Sequence, residues 1–324
     1  MRTLGFLLPF PAARAILPPM KIAILGAGAL GSFYGARLAQ AGEDVTFIVR
    51  SAYNAIREHG LQVQSVDGDM FLPRAKVCRR AADCGPVDLV VLCWKAFYND
   101  QLADSLPPLL HEGTQVVSLQ NGMGNAEAVS TFVPPEDVFV GLCFVCCMAD
   151  SPGVVRHLEG GDIQFAPFRG TDSGYERACA LAEQFRAAGI RTTAYRDLEY
   201  IQWHKLIWNI PFNGLCLVHG GISVRELFTM PHEVQRAREI MDEVCAAAKL
   251  RGFPLPAGLA DNQMRRTAGM GDFIPSSAMD FLRKRQVEYD AIWGTPLRRA
   301  LEAGAHVPAM SALCAEIRQC IGKE

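Results

Sequence analysis

The stretch from Lys21 to Arg50 constrains the fold most. KIAIL, residues 21–25, is a run of β-branched and aliphatic residues, the pattern of a buried strand. GAGALG follows without a spacer, and then SFYGARLAQAG reads as a helix with Gly42 as its stop signal. VTFIVR, 45–50, reads as the second strand. Strand, glycine turn, helix and strand within about thirty residues form the opening unit of a doubly wound α/β sheet. Gly26 permits the tight turn, Gly28 lets the backbone approach a pyrophosphate, and Gly31 lets helix and strand pack closely. The phosphates of a dinucleotide would lie over Gly26, Ala27, Gly28, Ala29, Leu30 and Gly31. Helix amides are unpaired there, and the helix dipole is positive. The alternative is a structural glycine turn that carries no ligand.

The residue after the second strand selects among dinucleotides. An acidic side chain there suits the ribose hydroxyls of NAD. This chain has Arg50 and Ser51, and a guanidinium suits a 2′-phosphate through paired, charge-assisted hydrogen bonds. NADP(H) is therefore the expected cofactor. Two further apolar runs end in polar residues, VDLVVLCWKA at Lys95 and TQVVSLQNGMG at Asn121. Ligands of open α/β sheets bind beyond the carboxyl ends of strands, so Lys95 and Asn121 are site candidates on position alone. DVFVGLCFVCCMAD, 137–150, carries Cys143, Cys146 and Cys147. With no second cysteine pair or spaced histidines beside them, they read as strand cysteines and no metal is expected.

The length, 324 residues, suggests two domains. After about residue 196 the pattern turns helical. The expected division is residues 20–196 for a Rossmann-type NADP-binding domain and 197–324 for an all-α substrate domain, with a cleft between them. A net charge of -2 without basic runs gives no nucleic-acid footprint. Eleven irregularly spaced cysteines point to reduced thiols and a cytoplasmic location. Residues 1–19 weakly imitate a signal peptide, but Pro9 and Pro11 interrupt the apolar run. They read better as an N-terminal extension before a start at Met20. No stretch is long and apolar enough to span a membrane.

WHKLIWNIPFN, 203–213, is mostly apolar, yet Lys205, Asn209 and Asn213 recur every fourth residue and share one helix face. Each alone reads as a surface residue; together they read as one wall of a cleft. Pro211 removes a helix hydrogen bond from the Ile207 carbonyl and predicts a kink just before Asn213.

GAGALG, Arg50, Lys95 in CWKA, NGMG at 121–124, WHKLIWNIPFN, the pair Ser276–Ser277 and EYD at 288–290 together resemble the ketopantoate reductases (2-dehydropantoate 2-reductases). The resemblance runs from Met20 to the end of the chain. It implies NADPH-dependent reduction of a 2-oxo acid, ketopantoate to pantoate on the route to pantothenate and coenzyme A. By this resemblance Lys205 matches the proton-donating lysine, and Asn209, Asn213 and Ser276 match substrate-binding positions. Glu288, expected on a helix, matches a glutamate beside cofactor and substrate. Asn121 and Lys95 match residues around the nicotinamide and the reacting centre. Glu288 would also help keep Lys205 charged, and Ser276 would be compatible with a helix N-cap. Fold analogy allows a homodimer through the helical domain.

Four departures bear on the substrate, and the first is Pro211 between Asn209 and Asn213. Trp293 stands where many members have Asn, and VHGGISVREL replaces a segment that often carries another substrate-binding asparagine. Cys146 and Cys147 occupy a cofactor-side region that is often Thr, His or Ala. They keep open a related reductase of another 2-oxo acid or ketone. A non-catalytic NADPH-binding regulator is the third reading, against which the retained lysine, amides and glutamate speak.

Overall fold

The structure, a computed structural model, describes residues 19–322. The expectation for residues 1–19 therefore falls, apart from Pro19, outside the described residues. Ten strands are present among them: β1 (Lys21–Leu25), β2 (Asp44–Ile48), β3 (Leu61–Ser65), β4 (Met70–Leu72), β5 (Lys76–Cys78), β6 (Leu89–Leu92), β7 (Gln115–Ser118), β8 (Val138–Ser151), β9 (Val154–Pro167) and β10 (Thr192–Ala194). The parallel part has the order β5-β2-β1-β6-β7-β8. β1 sits in its middle, so the chain winds outward in both directions from the first strand. β8 then pairs antiparallel with β9, which carries β3 and β10 in parallel and, through β3, the antiparallel β4.

The helices are α1 (Ala29–Gln40), α2 (Tyr53–His59), α3 (Leu102–Ser105), α4 (Asn125–Val129), α5 (Asp172–Ala187), α6 (Leu198–Val218), α7 (Val224–Phe228), α8 (Pro231–Leu250), α9 (Leu259–Ala268), α10 (Ser276–Leu282), α11 (Thr295–Glu302) and α12 (Pro308–Ile321). β1 and β6 are buried almost throughout because both sheet faces are covered. On one face Phe33 and Tyr34 of α1 and Phe185 of α5 pack on Phe47, Phe139 and Phe165. On the other face Leu102, Leu106, Leu109 and Val129 cover Val90, Leu92 and Val116. A third core belongs to the helices after Leu198 and is centred on α6.

α6 remains one helix of 21 residues with Pro211 inside it, so the proline does not end it. An interior proline costs about 3 kcal/mol or more. Against that, Trp203, Ile207, Ile210, Phe212, Leu215 and Leu217 are fully buried, each burial contributing roughly 1.5–3 kcal/mol. Burial wins, and it also explains why the helix is apolar on nearly all sides. Two sequence expectations change. Glu288 lies on no helix; it stands two residues before a π-helical turn, Asp290–Gly294, that leads into α11. Within the part expected to be all-α, ISVRELFTM forms only the five-residue helix α7, whose N-cap Ser223 makes a capping box with Glu226. Among the described residues no helix is long and apolar enough to cross a membrane.

Candidate active site

The glycine turn follows β1. Gly26 has φ +96°, and a Cβ there would lie 2.6 Å from the Trp94 backbone nitrogen. The amides of Gly26 and Ala27 donate to the Ile48 carbonyl, which ties the turn to the end of β2. A Cβ on Gly31 would lie 2.7 Å from the Gly26 carbonyl and 2.8 Å from Ile24 Cγ2, so this glycine seats α1 on β1. Gly35, which the sequence reading did not single out, does the same one turn later against Phe47 and Ile24. Gly28 differs: nothing lies within 4 Å of a Cβ built there. The Ser32 amide reaches the Gly28 carbonyl as the first bond of α1, leaving the amides of Ala29, Leu30 and Gly31 at an open helix end. The space in front of these amides is open.

Arg50 is exposed two residues beyond β2. Its guanidinium bonds Gln101 Oε1 and lies 6.0 Å from the Tyr98 ring centroid. Among the described residues its guanidinium has no carboxylate partner.

Lys95, just past β6, reaches across to the helical part. Its Nζ donates to Asp280 Oδ2 at 2.8 Å and Glu288 Oε2 at 2.9 Å. The other Glu288 oxygen accepts the Ala96 amide at 2.9 Å. Burial alone would pull the Lys95 pKa down, but the two carboxylates outweigh it and hold it above the ordinary lysine value. Asp280, only 9% exposed, was not anticipated from the sequence. A signal existed, because it follows Ser276 by four residues and shares its helical face.

Lys205 projects from α6 toward the sheet. Its Nζ donates to Asn121 Oδ1 and to the Cys143 carbonyl, both at 2.9 Å, and lies 5.5 Å from the Phe144 ring centroid. Burial pushes its pKa below the usual lysine range, opposed by the influence of Cys143 and Glu288. Glu288 therefore favours the charged form of Lys205 from a distance, as anticipated, while its direct contact is with Lys95. Beside Lys205 a crevice too narrow to hold a water molecule is lined by Gly122, Leu142, Gln202, Leu206 and Asn209. The NGMG loop closes one side: Gly122 has φ +82°, a Cβ there would collide with the Ala291 carbonyl, and Met123 N donates to that carbonyl at 2.9 Å.

The three polar residues of the helix face divide. The side chain of Asn209 makes no hydrogen bond with the described residues and borders the crevice. Asn213 is 1% exposed, and its side-chain carbonyl accepts from the Ser277 amide at 2.9 Å and the Ser276 hydroxyl at 3.4 Å. It therefore caps α10 from outside. Ser276 is the first residue of that helix, not its N-cap, which is Pro275. Trp293 is fully buried and donates from Nε1 to the Ile210 carbonyl at 3.0 Å. It belongs to the helical core and does not line the crevice. Ser223 is likewise occupied by its capping box. Cys143, Cys146 and Cys147 lie on β8; no group of three or more His, Cys, Asp or Glu among the described residues is placed to hold a metal.

A family model described as ketopantoate reductase PanE/ApbA matches residues 22–170, and the one described as ketopantoate reductase PanE/ApbA C terminal matches residues 197–320. The chain belongs to the ketopantoate reductase family. It is accordingly an oxidoreductase. A 2-dehydropantoate 2-reductase of Nostoc sp. is 34% identical over 94% of this chain and 96% of the relative. The crystal structure of a 2-dehydropantoate 2-reductase from Geobacter metallireducens superposes with a TM-score of 0.89 at 39% identity, covering 93% of this chain and 99% of the other. This family member also resembles D-mandelate dehydrogenase, solved with NADH and anilino(oxo)acetate, with a TM-score of 0.84 at 25% identity over 94% and 99% of the two chains.

Proposed function

We propose that the chain reduces a 2-oxo acid to a 2-hydroxy acid with NADPH, the favoured substrate being 2-dehydropantoate. The observation that carries this is the Lys205 ammonium, held on Asn121 and the Cys143 carbonyl at the edge of the crevice. The names of the Nostoc and Geobacter relatives support the same substrate. We place the division between cofactor and substrate domains between residues 196 and 197, just before α6 begins. The free thiols of all eleven cysteines fit a cytoplasmic enzyme.

The open cradle at Gly28 and the unpaired helix amides fit a dinucleotide pyrophosphate. A nicotinamide cofactor held there would provide the hydride for the substrate carbonyl carbon. As the carbon–oxygen π pair moves to oxygen, Lys205 stabilises the developing alkoxide and gives it a proton from Nζ. Asn121, accepting from Lys205, fixes the direction of that ammonium. Asn209, with its amide uncommitted, binds a polar group of the substrate. Lys95 offers its one remaining N–H to the substrate carboxylate, while Glu288 holds Lys95 and the Ala96 amide in place. Ser276 presents its hydroxyl from the start of α10, and Asn213 contributes by fixing that helix end.

Oxidation of NADPH against a panel of 2-oxo acids tests the reading. The highest kcat/KM is expected with 2-dehydropantoate. The second reading, a related reductase of another 2-oxo acid, is favoured by the likeness to D-mandelate dehydrogenase. A higher kcat/KM with an aryl 2-oxo acid would establish it. Arg50→Ala should raise KM for NADPH roughly tenfold to a hundredfold, the worth of charge-assisted hydrogen bonds to a phosphate, and leave KM for NADH nearly unchanged. An equal change for both cofactors would refute the 2′-phosphate role.

A further inference from the structure

The strand beyond β2 ends in two further arginines. β5 pairs with β2 in parallel, with Ile48 opposite Cys78, and the Val49 amide donates to the Cys78 carbonyl at 3.0 Å. Arg79 and Arg80 follow Cys78 at once, so their backbone runs on beside that of Val49 and Arg50. In a doubly wound sheet the ribose of a bound dinucleotide lies at the end of the second strand. The line from the glycine turn after β1 to Arg50 after β2 leads on to β5, the other neighbour of β2.

The two arginines have different surroundings. Arg80 is neutralised, because its Nε and Nη2 donate to the Asp83 carboxylate at 3.2 and 2.8 Å. Arg79 is not. Its guanidinium lies over the Tyr53 ring, 4.3 Å from the centroid, and its Nη2 donates to Asn54 Oδ1 at 2.9 Å. Arg57 approaches the same ring to 5.6 Å. Among the described residues none of Arg50, Arg57 and Arg79 has a carboxylate partner. Guanidiniums gathered around one strand end repel one another, and an anion placed there would relieve that repulsion. An exposed arginine also loses rotamer entropy when it is held still. Arg79 is held nevertheless, by stacking on one face and an amide at one corner. That leaves its other N–H groups unspent and fixed in direction, the arrangement that suits paired hydrogen bonds to a phosphate. We propose that Arg79 is a second ligand of the cofactor 2′-phosphate, acting from β5 beside Arg50 from β2, with Tyr53 and Asn54 holding its guanidinium in place. This rests on the reading above that the cofactor is NADPH and that Arg50 meets its 2′-phosphate.

Isothermal titration calorimetry with NADP+ and with NAD+ tests the proposal without substrate or turnover, because the two ligands differ only in the 2′-phosphate. Arg79→Ala should weaken NADP+ binding about tenfold, the worth of one charge-assisted hydrogen bond, and should change NAD+ binding by less than about twofold. Arg79→Lys keeps the charge but loses the planar stack, and should recover part of the loss. Arg80→Ala, whose guanidinium is already spent on Asp83, should leave both constants within about twofold of wild type. Both arginines are exposed, so Tm should hold in every variant. If Arg50→Ala loses affinity for NADP+ alone while Arg79→Ala binds it as the wild type does, the proposal is overturned and the NADPH reading stands. An equal loss for both cofactors in Arg79→Ala also overturns it. So does a loss in Arg80→Ala as large as in Arg79→Ala, the mark of a general positive field. A wild type that binds NAD+ as tightly as NADP+ removes the NADPH reading, and the proposal falls with it.

Discussion

Lys205→Met should lower kcat for the 2-oxo acid by roughly 10²–10⁴, the span that a positioned proton donor contributes. KM should change far less, because the loss falls on the transition state, where the oxygen becomes charged. Methionine is close to lysine in shape and apolar, so the α6 core should persist and Tm should hold. The pH dependence gives an independent check. Reduction needs the charged ammonium, so kcat falls as pH rises through the Lys205 pKa. Burial lowers that pKa, which puts the limb below the ordinary lysine range. The wild type should therefore show a descending alkaline limb, and the residual activity of Lys205→Met should lack it. A variant with wild-type kcat, or one that keeps the limb, would remove Lys205 from the chemistry.

What could be read along the chain was local. The turn GAGALG and its flanking strands contain their own explanation in about thirty residues, and the close contacts at Gly26 and Gly31 agree with it. The four-residue spacing of Lys205, Asn209 and Asn213 fixed a shared helix face. What it could not supply was a partner. The Asn213 carbonyl is spent on Ser277, and Glu288 is held directly by Lys95. Those contacts join residues 64 and 193 positions apart, and no periodicity encodes them. β3, β4, β5, β9 and β10 went unread for a related reason. β4, β5 and β10 are three residues long, too short for a period-2 pattern, and β3 and β9 draw their stability from pairing across the chain. Trp293 teaches the reverse lesson. A departure from a family pattern suggested an altered pocket, but the indole is absorbed by the helical core and bonds Ile210. The reason to doubt 2-dehydropantoate that it supplied is correspondingly reduced.

Gly28→Val tests whether the glycine turn binds a cofactor or merely turns the chain. Gly28 has φ -79° and ψ -156°, an extended conformation open to any residue. A Cβ there meets nothing within 4 Å. Valine is a poorer N-cap than glycine, a loss of about 0.5–1 kcal/mol. That corresponds to a fall in Tm of only a few degrees for a chain of this size. The added methyls, however, occupy the space in front of the open amides of α1, where a pyrophosphate would lie. The dissociation constant for NADPH, measured by fluorescence titration, should rise by roughly a hundredfold or more, about 2.8 kcal/mol. Gly31→Val makes the contrast, because its Cβ would press on the Gly26 carbonyl and Ile24 Cγ2 at 2.7 and 2.8 Å. Overpacking there costs roughly 1–3 kcal/mol, so Tm should fall more than in Gly28→Val. A structural turn and a binding turn thus predict opposite orders of damage. If Gly28→Val binds NADPH as the wild type does, the cradle is a turn and the cofactor lies elsewhere.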